Sequence, residues 1–157
     1  MNKITALFLA GFTTLLSGCD WLGIRGNGHV VTDQRSITEF TEIAASGGFK
    51  VEWHSGPPAL SITTDENLVS YVENRTSGDV LRLRTRDRVR PTHGVKVTVS
   101  SAKLNGADFS GAVNLIAKSV AGPKFYVRAR GASDAAILQR GRDLATGSEW
   151  GRAVIGR

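Results

Sequence analysis

The stretch Gly94–Ser100 reads GVKVTVS, with valine at every second position. In an extended chain this alternation sends one face to a core and the other to water. The pattern recurs at Phe49–Trp53 (FKVEW), at Leu60–Ile62 and at Val80–Thr85 (VLRLRT), and strand-like runs precede them at His29–Thr32 and Ile37–Ile43. After the first eighteen residues no long segment holds a helical period. One helical turn is expected over Asp65–Tyr71 (DENLVSY), with the Asp65 carboxylate accepting a hydrogen bond from a first-turn amide. HSGPP turns the chain after Trp53, and the 18 glycines supply further tight turns. The fold class is all-β.

The N-terminus constrains location. Lys3 is followed by Ile4–Leu16, thirteen residues without a charge. That run is short of the roughly 20 residues that span a bilayer as a helix, and it is the length of a signal-peptide core. Leu16-Ser17-Gly18-Cys19 resembles the bacterial lipobox, in which two small residues lie in a peptidase cleft and the ionised thiol takes a diacylglycerol group. The resemblance implies a signal peptide over residues 1–18 and a mature lipoprotein with three acyl chains on Cys19. Such a protein is anchored to the membrane without spanning it. Asp20 resembles a retention signal for the inner membrane, which places the periplasm-facing inner membrane ahead of the outer membrane or the cell surface. Residues 19–27 read as a glycine-containing tether. Cys19 is the single cysteine, so no disulfide within the chain can form. Removing eighteen of the 157 residues leaves one domain of 139, and loss of Lys3 lowers the net charge from +6 to +5.

From Leu104 the chain becomes rich in glycine and alanine. Gly111-Ala112 recurs as Gly131-Ala132 after 20 residues, an offset that also sets Asn114 against Asp134. A period near 20 fits one coil of a solenoid, with glycine at the corner where positive φ or close backbone approach is required. Spacing alone serves a plain antiparallel sandwich equally well.

The residues from about Gly26 to Leu138 resemble a family described as putative auto-transporter adhesin, head GIN domain. The resemblance is carried in order by GNGHVVTDQRSITEFTEI, GGFKVEWHSG, LSITTDENLVSYVE, GDVLRLRT, VKVTVS and the Ser110-Gly111-Ala112 element. It implies a right-handed β-solenoid over residues 28–138, a role in adhesion or cell-envelope binding, and no catalytic residues. Gln139–Arg157 (QRGRDLATGSEWGRAVIGR) departs from the family's continuing Ser-Gly-Ala coils, so an irregular tail is expected there, as from a truncated or frameshifted gene. A coil end left open in this way would be a place for a protein partner to pair.

The sharpest local feature is RLRTRDRVR. If extended throughout, it sends Arg82, Arg84, Arg86, Arg88 and Arg90 to one face, with Leu81, Leu83 and Val89 inward. A row of guanidinium forks suits an anionic glycan or lipid headgroup. A solvated face that prevents edge pairing is the structural alternative, and Pro91 and Gly94 point to a loop that would scatter the later arginines. No aromatic residues interleave the run, which argues against nucleic acid.

His29, His54 and His93 lack metal-ligand spacing, so neither a metal nor a cofactor is expected. The acidic pair Asp65-Glu66 suits a helix start, and Asp108 and Asp134 fall 26 residues apart, off the 20-residue register. Nothing here resembles the clustered carboxylates of a glycan-cleaving solenoid. The expectation is a non-catalytic, lipid-anchored envelope-binding module. A passive assembly module and a carbohydrate-active enzyme are the alternatives.

Overall fold

The structure is a computed structural model that describes residues 23–120, 125–139, 145–148 and 153–155. Its strands are β1 (Ile24–Arg25), β2 (Val30–Arg35), β3 (Glu42–Ser55), β4 (Ala59–Asp65), β5 (Val72–Ser77), β6 (Val80–Thr85), β7 (Val89–Arg90), β8 (Val95–Ser101), β9 (Gly106–Val120), β10 (Tyr126–Arg130), β11 (Asp134–Gln139), β12 (Ala145–Ser148) and β13 (Ala153–Ile155). A 3-10 helix, Glu66–Tyr71, joins β4 to β5. The chain is all-β, as the alternation requires.

Two long strands organise the molecule. β3 and β9 run parallel from Glu42↔Gly106 to Trp53↔Ala117. Each bends at a glycine and so serves two sheets. Before the bend, β3 pairs with β6 and β9 with β10, and the first sheet runs β5-β6-β3-β9-β10-β12. After the bend, β3 pairs with β8 and β9 with β11, and the second sheet runs β2-β4-β8-β3-β9-β11-β13.

The bend is built from stacked glycines. Gly47, Gly111 and Gly131 have φ of 128°, 104° and 94°. A Cβ on Gly111 would lie 2.8 Å from the Gly47 carbonyl oxygen, and one on Gly131 would lie 2.9 Å from that of Gly111. The 20-residue offset between the Gly-Ala pairs is thus a spatial register: Tyr126 pairs with Gly106, and Asp134 with Asn114.

The inward alternate residues of both sheets form one core. Ile43, Leu81, Leu83 and Phe109 come from the first sheet, and Val51, Trp53, Val97, Val99 and Leu115 from the second. Each such side chain contributes roughly 1.5–3 kcal/mol on burial. Phe40, Leu104 and Phe125 close the core where successive passes enter the first sheet. The Trp53 indole N–H donates to Ser101 Oγ at 2.9 Å, so its burial leaves no orphaned donor.

Four expectations are corrected. The early strands run Val30–Arg35 and Glu42–Ser55 rather than His29–Thr32 and Ile37–Ile43, because pairing partners rather than local composition set their ends. Asp65 does not cap the 3-10 helix. Its buried carboxylate accepts from the Gly28 amide (2.7 Å), the Thr92 amide (2.8 Å) and the Thr92 hydroxyl (2.7 Å). Residues 24–26, expected within a tether, belong to the folded body: β1 pairs in parallel with β7, and Gly26 packs against the Asp65 carboxylate in a space that a Cβ would fill. The tail from Gln139 is not wholly irregular. β12 pairs in parallel with β10 and β13 with β11, so the ladder takes on a further pass through main-chain hydrogen bonds that need no side-chain alternation.

Candidate functional site

β6 ends at Thr85, so the arginine alternation holds for Arg82 and Arg84 and then breaks. Those two point outward while Leu81 and Leu83 are buried. Arg86 lies in the bend that follows, its guanidinium 4.9 Å from the centre of the Tyr71 ring and its Nε 3.7 Å from Asp87. Arg88 and Arg90 belong to the loop and short strand that hold β1. The break has a geometric cause. β6 and β8 form the pass beneath β3, and residues 86–94 span the corner that Gly47 turns in β3 with a single residue. Arg86 and Arg88 help to wall an open groove of about 750 Å³ over Gly47 and Gly48.

Register brings in arginines that the run does not contain. Arg75 on β5 is the cross-strand partner of Arg82, and Glu73 that of Arg84. Across the sheet Arg82 is in line with Ala44, Asp108 and Arg128, and Arg84 with Ser46, Ser110 and Arg130. From β5 to β10 this outer face is about 19 Å wide, at one strand per ~4.8 Å. The repeated Arg-x-Arg of RLR and RAR was the available sequence signal, but its significance depended on knowing that β6 and β10 share a sheet.

The charges on this face are unequally neutralised. Arg84 donates to Glu73 Oε2 through Nε at 2.8 Å, with Nη2 at 2.7 Å. Arg130 Nη2 is 3.9 Å from Asp108. The Arg128 guanidinium lies 5.3 Å from the centre of the Tyr126 ring, which occupies the space that a Cβ on Gly106 would take. Burial first and the Glu42 carboxylate second push the Tyr126 hydroxyl up to about 12. Arg75 and Arg82 face each other with no ion-pair partner among the described residues, although like charges directly opposite in a ladder are destabilising.

An open groove of about 600 Å³ runs beside them, with Glu73, Asn74 and Arg84 also in its wall. Arg35 closes one side with four of its five N–H donors already engaged. Its Nε meets Asp33 at 2.7 Å, Nη1 meets the Val72 carbonyl (2.7 Å) and Asn74 Oδ1 (2.8 Å), and Nη2 meets the Val69 carbonyl at 3.0 Å. Arg35 therefore joins the terminal strands of the two sheets.

Cys19 and the cleavage motif Leu16, Ser17 and Gly18 lie outside the described residues. His29 Nδ1 sits 3.1 Å from Glu66, His93 Nδ1 sits 3.0 Å from the Thr92 hydroxyl, and His54 is exposed. Among the described residues no three His, Cys, Asp or Glu side chains gather as metal ligands, and no helix is long and apolar enough to cross a membrane. Asp108 lies in the first sheet and Asp134 in the second.

Residues 39–145 match the family described as "Putative auto-transporter adhesin, head GIN domain". No curated protein matches the chain. Among solved structures it is similar to a putative adhesin from Parabacteroides distasonis ATCC 8503, with a TM-score of 0.68 and 20% identity over 85% of this chain and 59% of that one. A putative adhesin from Bacteroides fragilis NCTC 9343 gives a TM-score of 0.61 and 18% identity, covering 85% of this chain and 82% of the other. A protein from P. distasonis described as a putative lipid binding protein gives a TM-score of 0.54 and 22% identity, covering 78% of this chain and 62% of that one. The chain thus spans about three fifths of the length of the two P. distasonis proteins, and shares their fold.

Proposed function

The chain belongs to this family of adhesin head GIN domains, and from that membership we propose that it is a lipid-anchored, extracytoplasmic, non-catalytic module that binds anionic glycan of the cell envelope. Its body is a right-handed β-solenoid. Support for that architecture comes from the parallel ladder, whose passes recur every 20 residues from β9 to β10 and β11, and from the stacked glycine corner. The anchor is an acylated Cys19, and Asp20 favours the periplasmic face of the inner membrane.

The observation that carries the binding assignment is the opposed, unneutralised pair Arg75 and Arg82 beside an open groove. The chain tolerates that repulsion, and a carboxylate or sulfate from outside would relieve it. Arg84 stays held by Glu73, and Arg128 and Arg130 extend the positive face toward β10. A long polyanion suits such a face better than a small ligand, because the arginines are spread over about 19 Å and the groove beside Arg75 and Arg82 is open. Single surface contacts of this kind are weak and salt-sensitive, so affinity depends on several acting together.

The test is binding of the mature chain to polygalacturonate, with neutral dextran as control. Binding should weaken as salt is raised from about 50 to about 300 mM. The double substitution Arg75→Ala, Arg82→Ala should weaken it about tenfold at the lower salt. Equal binding to dextran, or unchanged affinity in the double variant, would remove the assignment.

A further inference from the structure

We propose that a second surface, the corner where β1 meets β7, rests on anionic phospholipid headgroups through Arg25, Arg88 and Arg90. The inference rests on the acylation of Cys19 and extends it from anchoring to orientation.

The N-terminal segment is fixed to the body earlier than a tether would be. The Ile24 amide donates to the Arg88 carbonyl at 2.8 Å, and the Gly26 amide to the Arg90 carbonyl at 3.0 Å. Asn67 closes the other side: its Nδ2 donates to the Arg25 carbonyl at 2.9 Å, and its Oδ1 accepts from the Asn27 amide at 3.0 Å. The Gly28 amide is held by Asp65. Gly23 itself lies against Arg88, where a Cβ would come within 2.6 Å of the Arg88 carbonyl oxygen and 2.9 Å of its Cγ. Gly23 is four positions along the chain from Cys19, and a fully extended chain advances at most about 3.6 Å per residue. An acylated Cys19 therefore holds this corner within about 14 Å of the bilayer surface.

The chemistry of the corner fits what it would meet. Arg25 and Arg90 are register partners in the parallel β1/β7 pair, so their side chains leave the same side. Arg25, Arg88 and Arg90 are all exposed, and none has an ion-pair partner among the described residues. The neighbouring carboxylates are engaged elsewhere: Asp87 lies 3.7 Å from Arg86, Glu66 meets His29, and Asp65 is buried under three donors. Guanidinium forks match phosphate geometry, and each basic residue near an anionic leaflet strengthens partitioning about fivefold. Arg75 and Arg82 belong to the first sheet's outer face, whereas Arg25 and Arg90 belong to the two-stranded β1/β7 pair.

The experiment uses the mature chain with Cys19→Ser, which carries no acyl group, and vesicles of phosphatidylcholine with or without about 30 mol % phosphatidylglycerol. Co-sedimentation should show binding to the anionic vesicles alone. The triple substitution Arg25→Gln, Arg88→Gln, Arg90→Gln should weaken it at least about tenfold. The corresponding triple lysine variant should retain most of the binding, and Lys50→Gln, an exposed basic residue of the second sheet, should leave it unchanged. Equal sedimentation with both vesicle types, no sedimentation with either, or full binding by the glutamine variant overturns the proposal. An unacylated Cys19 in the cellular protein would defeat the anchoring reading instead, and mass spectrometry of the N-terminal peptide reads that separately.

Discussion

At the scale of single residues, the structure depends on side chains whose partners are far away in the sequence. Asp65 takes its hydrogen bonds from Gly28 and Thr92, 37 and 27 positions distant. The Thr92 hydroxyl leads, with the amides of Thr92 and Gly28, in holding this carboxylate below its ordinary value against the opposing effect of burial. The folded-state value is depressed, so the stabilisation is complete above the unfolded value of about 3.9 and is lost as pH falls through the folded one. Asp65→Asn should therefore melt well below the native chain at pH 7, and the gap should close as thermal scans move below about pH 4. A gap that stays constant down to pH 2 would separate Asp65 from the acid limb. Sequence reading assigned Asp65 to a helix cap because capping is local and visible, whereas a clamp between loops leaves no spacing to detect.

Gly111 and Gly131 were legible for the opposite reason, since each opens a Gly-Ala pair and the pairs repeat 20 residues apart. Gly111→Ala forces a side chain into positive φ and against the Gly47 carbonyl, and should cost about 3 kcal/mol. Gly78→Ala, at φ 57° with nothing within 4 Å, should cost about 1 kcal/mol. Urea unfolding at constant m-value measures the difference, and equal costs would mean that the close approach carries no energetic weight.

At the scale of elements, legibility follows length and alternation. β8 and the hydrophobic side of β6 announce themselves in VKVTVS and VLRLRT because a buried face imposes period two. β1 is two residues long and offers no period, so it reads as linker; its position comes from hydrogen bonds to β7 and Asn67 and from the packing of Gly26 on Asp65. Gly26→Ala would press a methyl group into the Asp65 carboxylate and lift β1 from β7. Hydrogen exchange should then accelerate at the Ile24 and Gly26 amides while β3 and β9 keep their protection. Loss of protection throughout would mean that β1 belongs to the global folding unit.

The start of β5 is held by a comparable device: Arg35 reaches to the Val69 and Val72 carbonyls and to the Asn74 side chain. Charged hydrogen bonds of this kind are worth about 2 kcal/mol in total after solvent exchange, and Arg35→Ala should lower unfolding stability by that amount. A change below about 0.5 kcal/mol would reduce Arg35 to an ordinary surface ion pair.

At the scale of the whole molecule, the order of passes in space differs from their order in the chain. β6 and β8 lie on one side of β3, β9 lies on the other, and β10 with β11 and then β12 with β13 follow outward. The chain lays down β3, turns back through antiparallel β4, passes beneath as β6 and β8, and only then returns above as β9. That excursion separates Gly47 from Gly111 by 64 positions, so the first member of the glycine stack was hidden from any search for a 20-residue repeat. The arginine run depends on the same geometry: Pro91 and Gly94 point to a loop in the sequence, and the place where the alternation breaks follows from the turn of β3 at Gly47. Stability should follow spatial order. β3 and β9 have neighbours on both sides, whereas β12 and β13 are paired, among the described strands, on one side each, by four and three register pairs. In a stack where each pass contacts its nearest neighbours, opening costs least at the outer passes and most in the middle. Native-state exchange should place the amides of Val51 and Leu115 at the global unfolding limit and those of β12 and β13 at least about a hundredfold faster, with β10 and β11 between. A single common rate for all of these amides would show that the passes open as one unit and that the ladder carries no gradient.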